Sequence, residues 1–290
     1  MMCCASCGTA EVDDIKLQKC TACKSVRYCS IKCQQEHLPE HEETCKKRAA
    51  ELRDEILFKQ PESNHLGDCP ICFLPLPIGP KKSTLMECCS TIVCGGCCHA
   101  NLTREIEESL FPSCPFCRKA APLTDEEGVM NMMKRVEAND PVALCQMGRE
   151  RYEEGDYNGA FQYWTKAAGL GNAEAHYELS CSYAEGEGVE IDEEKRVYHL
   201  EHAAIGGNPR ARYNLGCEEA KNRRMDRAIK HFIIAANLGH NESLEVLKNF
   251  YAKGHVSKDA FAAALRAHQA AVDATKSPQR EMALQWERLQ

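Results

Sequence analysis

Cysteine placement constrains this chain more than any other feature. Of its 20 cysteines, 17 fall within residues 1–117 of 290. The densest stretch opens Cys69-Pro70-Ile71-Cys72 and closes Cys114-Pro115-Phe116-Cys117-Arg118, with Cys88, Cys89, Cys94 and Cys97 between. A short turn brings both thiolates of a close pair to one face, which is half of a tetrahedral zinc site. Four such pairs predict two metal ions. The start, Met1-Met2-Cys3-Cys4-Ala5-Ser6-Cys7-Gly8, lacks the basic run and apolar run of a signal peptide. No apolar stretch is long enough to predict a membrane span. An intracellular setting, cytoplasmic or nuclear, is therefore expected, where clustered cysteines act as metal ligands rather than disulfides. A net charge of −7 offers no basic footprint, so nucleic acid is not an expected partner.

The first 48 residues repeat the theme. Cys4-x2-Cys7, Cys20-x2-Cys23, Cys29-x3-Cys33 and His41-x3-Cys45 make four donor pairs. The last suits a helix, where residues four apart share a face. Order and spacing resemble the MYND zinc finger, which implies two interleaved sites. Cys4, Cys7, Cys29 and Cys33 would hold one zinc, and Cys20, Cys23, His41 and Cys45 the other. Cys3 and His37 are the neighbouring competitors. The family's Trp before Pro is Leu38 here, ahead of Pro39. So small a module needs its metal to fold, and a structural zinc supplies on the order of 10–16 kcal/mol. Closed four-ligand sites leave no place for a catalytic water. The resemblance implies binding of short peptide motifs. Residues 49–66 read as a helical connector, with Leu52, Ile56 and Leu57 at helical spacing and Pro61 ending it.

The order of pairs in residues 67–124 resembles a RING domain, in which alternate pairs share a zinc. The resemblance implies one site from Cys69, Cys72, Cys94 and Cys97, and another from Cys88, Cys89, Cys114 and Cys117. Most RINGs place His where this chain has Thr91. An all-cysteine set with a nearby Pro-Leu, here Leu74-Pro75-Leu76-Pro77, resembles the RING of a ubiquitin ligase in the deadenylase complex. Cys98 or His99 remains an alternative to the adjacent Cys88 and Cys89. In the family, an apolar residue, a proline and a cation meet a ubiquitin-conjugating enzyme, and the matching positions are Ile71, Pro115 and Arg118. A guanidinium suits that role because its planar fork can bridge two carbonyls. The aromatic many RINGs carry after the sixth cysteine is absent. The bland reading is that Ile71 fills a small core, Pro115 shapes a turn and Arg118 is solvated. A short helix is expected over Leu102–Leu110, with Glu105, Glu107 and Glu108 facing water.

Beyond residue 125 the chain becomes self-similar. Ala143-Leu144-Cys145-Gln146-Met147-Gly148 aligns with Ala175–Ser180, Ala211–Gly216 and Ser243–Lys248, in steps of 32, 36 and 32 residues. Ala167-Ala168, Ala203-Ala204 and Ala235-Ala236 keep the same pace, each followed by a helix-ending glycine at Gly171, Gly207 or Gly239. Each repeat therefore predicts two helices, and the pattern resembles the Sel-one-like repeat, a relative of the tetratricopeptide repeat. Cys145, Cys181 and Cys217 follow no ligand spacing and read as packing residues. Tyr177, Tyr213, His176 and His231 could line a groove, with core packing the default. Arg135–Val142 reads as the tail of a capping helix and Ser257 as the N-cap of a closing helix. After Ser277-Pro278, Met282, Leu284, Trp286 and Leu289 suggest a last short helix in a C-terminal tail.

The expected fold class is small zinc-stabilised modules, MYND-like (1–48) and RING-like (67–124), followed by an all-α helical-repeat solenoid over 125–275 and a tail, 276–290. Four structural zincs are expected. The functional expectation is a RING-type ubiquitin ligase or ligase subunit that recruits a ubiquitin-conjugating enzyme through the RING and substrate through the repeats and finger. The competing expectation is a non-enzymatic scaffold for protein–protein interaction.

Overall fold

The structure is a computed structural model that describes residues 2–12, 15–79 and 82–288. The contribution expected of Leu289 lies outside them. The chain divides into two compact units, Met1–Lys59 and Gln60–Gln290.

In the first unit, β1 (Gln18–Lys19) pairs antiparallel with β2 (Arg27–Tyr28), and α1 (Ile31–Leu57) follows. Its core is Cys4, Leu17, Cys20, Cys23, Tyr28 and Cys33, mostly the residues expected to hold metal. Ser30 caps α1, its Oγ accepting from the Cys33 amide at 3.2 Å. The connector expected from residue 49 is not a separate element, because α1 runs unbroken for 27 residues. Neither Gly nor Pro interrupts residues 40–58. Ion pairs between Arg48 and both Glu51 (3.0 Å) and Glu55 (3.2 Å) cross the expected boundary. The helix ends at Leu57, ahead of Pro61.

The second unit begins with a hairpin. β3 (Ser83–Met86) and β4 (Thr91–Cys94) pair from Ser83 with Cys94 to Met86 with Thr91. Cys88 and Cys89 occupy the hairpin tip, where the Ser90 amide donates to Met86 O at 2.8 Å. β4 leads directly into α2 (Gly95–Glu107), so the module's helix starts a full two turns before the expected Leu102. The glycines and cysteines of that stretch concealed it, since none favours a helix.

Eight helices then pair as hairpins: α4 (Pro141–Glu153) with α5 (Tyr157–Gly169), α6 (Ala173–Glu185) with α7 (Glu193–Ile205), α8 (Pro209–Lys221) with α9 (Met225–Asn237), and α10 (Asn241–Ala252) with α11 (Lys258–Ala274). Before them lies α3 (Asp125–Glu137), which ends before the expected Arg135–Val142 tail is complete. Val142 already belongs to α4. Asp140, Asn172, Asn208 and His240 cap the first helix of each hairpin, keeping the repeat step. Ser257 caps α11 as expected. The glycines after each Ala pair are left-handed, with φ of 86°, 85° and 90° at Gly171, Gly207 and Gly239. The following amides close on the carbonyls of Ala167, Ala203 and Ala235 at 2.9–3.1 Å. The seven-residue loop between α6 and α7 accounts for the longer second repeat.

The Ala pairs are buried, and the second helix of each of the first three hairpins drives one large side chain, Trp164, Leu200 or Phe232, into the hairpin. The opposing position is small. A Cβ on Gly148 would meet Trp164 at 2.4 Å, and one on Gly216 would meet Phe232 at 2.8 Å. His231 is fully buried, and Tyr213 packs edge-to-face on Phe232, which favours packing over groove for both. Cys145 is buried and its thiol is pushed up to about 12 by burial, as a packing residue requires.

The RING-like module and the array form one unit through a polar seam. Glu174 accepts from His65 Nε2 (3.1 Å), Asn208 Nδ2 (2.9 Å), Arg149 Nη2 (3.1 Å) and Arg210. The His65 amide donates to Gly207 O at 3.1 Å, and any Cβ on Gly207 would strike Ser63 O at 2.7 Å. Beside the seam opens a cavity of about 960 Å³, lined by His65, Leu85, Arg149, Glu178 and Arg210 among others. Burial opposes ionisation of Glu174, but the His65 and Arg210 contacts outweigh it and hold the carboxyl far below its usual range. At Glu178, burial and then the neighbouring Glu174 charge raise the carboxyl to about 7.

Two predictions follow from this packing. Gly216→Ala should lower stability by about 1–3 kcal/mol, the usual cost of overpacking. Gly169→Ala, whose Cβ meets nothing within 4 Å, should not. Urea denaturation of the two variants side by side checks this. The raised Glu178 carboxyl contributes stability that is full below its unfolded value near 4.3 and is lost as pH rises through about 7. Glu178→Gln should therefore melt higher than the parent at pH 8, with the gap shrinking toward pH 5; a gap independent of pH would contradict the assignment.

Candidate metal centres

The structure brings the sixteen expected donors into four groups: Cys4, Cys7, Cys29 and Cys33; Cys20, Cys23, His41 and Cys45; Cys69, Cys72, Cys94 and Cys97; Cys88, Cys89, Cys114 and Cys117. Within each, all donor atoms lie within 4.8 Å of one another. A tetrahedral zinc with Zn–S near 2.3 Å sets its sulfurs about 3.8 Å apart. Observed separations match: 3.5 Å for Cys7–Cys29, 3.7 Å for Cys20–Cys45, 3.8 Å for Cys72–Cys94 and 3.9 Å for Cys89–Cys114. A disulfide needs about 2.05 Å, so these are not disulfides. Every group has a full set of four donors, which suits a closed structural site.

Four of the pairs share one backbone device. The residue after the second cysteine is left-handed at Gly8, Lys24, Phe73 and Arg118, with φ of 74°, 57°, 56° and 62°. Its amide donates to the carbonyl of the first cysteine, at 3.0, 3.1, 2.8 and 3.0 Å respectively. The turn aims both thiols one way and can point a backbone amide at sulfur, as from Cys117 N to Cys114 Sγ (3.4 Å); Cys69 Sγ instead receives the Cys94 amide from the end of β4 (3.5 Å). The Cys88–Cys89 neighbours use the same closure in another register: Ser90, after the second cysteine, is left-handed with φ of 53°, and its amide donates to Met86 O. At the hairpin tip their sulfurs sit 3.9 Å apart, a tetrahedral edge.

Four thiols this close cannot all ionise unaided. Cys29 is pushed up to about 12 by its contacts with Cys7, Cys33 and Cys4. Cys4 settles at about 6, burial opposing and the amides of Cys7, Cys29 and Ser6 prevailing. The donor set thus favours a thiophilic divalent cation that lets every sulfur ionise together.

The alternatives raised by spacing stay outside the groups. Cys98 points to Val93 O (4.0 Å), and His99 lies edge-on to Trp286, ring centres 5.6 Å apart. Thr91 donates to Cys89 O at 3.3 Å. His37 stacks on His41 and contacts the Tyr28 hydroxyl at 3.1 Å through Nδ1. Leu38, where the finger family has Trp, is 51% exposed.

One expectation fails. Glu105 does not face water but is buried, accepting from Ser113 Oγ (2.6 Å), Ser113 N (3.0 Å) and Asn101 Nδ2 (2.8 Å). Those bonds, the Ser113 hydroxyl foremost, hold its carboxyl below the usual range despite burial. Asn101 also takes Arg118 Nη1 on its Oδ1 at 2.6 Å, so α2, Ser113 and Arg118 form one polar network. No spacing rule marks an acidic residue for burial; only the early start of α2 turns Glu105 inward. Of the remaining candidates, Ile71 is 37% exposed, Pro115 is half-buried and Arg118 is exposed. Phe73, 76% exposed, was not anticipated.

Comparison with known proteins agrees with the first module. Residues 4–45 match the MYND finger family model. A mouse protein (Mus musculus), DAP3-binding cell death enhancer 1, is 26% identical, the match covering 56% of this chain and 39% of that protein. Its rat counterpart (Rattus norvegicus) is 27% identical over 47% of this chain and 34% of its own. The chain therefore spans less than half the length of these relatives. Among solved structures, a Sel1 repeat protein from Oxalobacter formigenes is 26% identical, covering 58% of this chain and 50% of its own at a TM-score of 0.45. A protective antigen of uropathogenic Escherichia coli with an SLR fold is 20% identical, covering 58% and 36% at a TM-score of 0.40. The finger match and the donor sets together support zinc binding, and among the described residues no helix is long and apolar enough to cross a membrane.

Cys89→Ser should lower the metal content of purified protein by one equivalent, whereas Cys98→Ser and His99→Ala should leave it unchanged. Elemental analysis of the three variants beside the parent decides between the two ligand assignments.

Proposed function

We propose that this chain is a RING-type ubiquitin ligase, or the RING subunit of one, with four structural zincs held by the sixteen donors named above. The observation that carries the proposal is the second unit's pair of interleaved four-cysteine groups at RING spacing. Next to their ligands stand the exposed apolar Ile71 and the cationic Arg118. A RING performs no covalent chemistry. It holds the thioester-linked ubiquitin of a conjugating enzyme in a reactive pose, a positioning effect. Here Ile71, with Phe73 beside it, would offer apolar contact to that enzyme. Pro115 would stiffen the second loop, and Arg118 would donate to carbonyls of both the enzyme and ubiquitin. Arg118 Nη1 already bonds Asn101, which fixes the guanidinium against α2 and leaves its other N–H groups to donate. The repeat array and the MYND-type finger would select the substrate, as paired helices and closed zinc modules serve as protein-docking surfaces.

A second reading has its own support. The mouse and rat relatives are named for binding a protein, DAP3, and for enhancing cell death. An adaptor that joins two proteins without transferring ubiquitin fits that description. Autoubiquitination of the purified chain with a panel of conjugating enzymes separates the two. The ligase reading expects chain-dependent ubiquitin conjugates with at least one enzyme, and a loss of ten-fold or more on Arg118→Ala. Inactivity across the panel, or an Arg118→Ala variant as active as the parent, would leave the adaptor.

A further inference from the structure

The last helix, α12 (Pro278–Glu287), is not a loose tail. It is capped by Ser277, begins with Pro278 and packs on α2. Its Arg280 is buried, 7% exposed, beside a cysteine 208 residues away in sequence. Nη2 donates to Cys72 Sγ (3.3 Å) and Leu74 O (3.1 Å), and Nη1 donates to Pro75 O (2.7 Å) and Thr275 O (2.8 Å). Among the described residues no carboxylate pairs with this guanidinium, and its Nε has no hydrogen-bond partner. A buried cation without counter-charge is strongly disfavoured. Carbonyls and neutral thiols do not supply that charge, but a divalent metal on four thiolates carries a net −2. Gly96, in the first turn of α2, makes the approach possible. A Cβ there would lie 2.8 Å from both Cγ and the backbone N of Arg280.

We propose that Arg280 is an outer-shell partner of the Cys69, Cys72, Cys94 and Cys97 centre. It orients Cys72 and offsets the thiolate charge, so retention of that one metal depends on docking of the C-terminal helix. Arg280 is thus a positioning residue that ties the far end of the repeat unit to the RING-like module. Its planar fork spans a sulfur and three carbonyls at once, which a lysine ammonium does not reproduce. The inference rests on the zinc reading above, and its test keeps the two apart.

Zinc is first counted in the full-length parent. Fewer than four equivalents would sink the zinc reading itself. With four present, release to excess chelator is followed with a chromogenic zinc indicator in the parent, Arg280→Gln, Arg280→Lys and Gly96→Ala. Outer-shell partners commonly carry 10–100-fold in metal affinity. Arg280→Gln should therefore release one equivalent at least ten-fold faster while the other three keep parental rates. Arg280→Lys should recover part of the loss, and Gly96→Ala should loosen the same equivalent with the arginine intact. Parental rates for all four zincs in Arg280→Gln, or equal acceleration of all four, would overturn the proposal. If Arg280→Gln does not fold, cadmium-113 NMR of the parent and Arg280→Lys carries the test. One resonance of four should shift; four unshifted resonances would overturn the proposal.

Discussion

The structure depends on cysteine sulfurs gathered around common points, most of them wholly or partly shielded from water. Each of the four donor sets brings together side chains that repel when ionised and waste their hydrogen-bonding capacity when not. A divalent cation resolves the conflict, and the backbone is built to receive it. Four Cys-x2-Cys turns end in a left-handed residue whose amide closes on the first cysteine. That geometry costs little at Gly8 and more at Lys24, Phe73 and Arg118, where a side chain sits at positive φ. The metal-binding free energy is large enough to hold those conformations in place. In the first unit this is most of the core: among the described residues, the buried ones besides cysteines and His41 are Leu17, Tyr28 and, at the end of α1, Leu57.

The second unit combines that device with an ordinary helical core. The first three repeat hairpins bury alanine against alanine and leave one large side chain per hairpin to fill the gap. The glycines opposite Trp164 and Phe232 are needed for that filling. What joins the two kinds of structure is partly apolar, with Leu85 of β3 packed on the cluster of Met132, Ala143 and Met147, and partly polar. The Glu174 cluster at the start of the array, and Arg280 at its end, both place buried charge where the RING-like module meets helices. Parting a buried charge from its partners is strongly destabilising, so both contacts resist displacement of the module from the array.

Much of this organisation is written locally. Donor spacing, read with the family resemblances, marked the members of the four groups, with Cys98 and His99 left open against the adjacent Cys88 and Cys89, because a metal site demands specific residue types at short fixed intervals. The recurrence of Ala pairs and glycines marked the first three of the four hairpins, because helix length and turn chemistry repeat with the sequence. The N-caps Asp140, Asn172 and Asn208 keep the same step and are residue types that favour a helix start, whereas the fourth, His240, is not and only the fold places it.

Other features needed the tertiary structure, for reasons that are physical. The sequence alone marked which residues gather in the donor groups and how the array repeats, since both rest on short-range patterns. It did not show that Glu105 turns inward, because that follows from where α2 begins. Nor did it show that α1 continues through the expected connector. The burial of Arg280 against Cys72 could not be read locally at all. A contact across 208 residues exists only once the array has folded and returned its last helix to the module near its start.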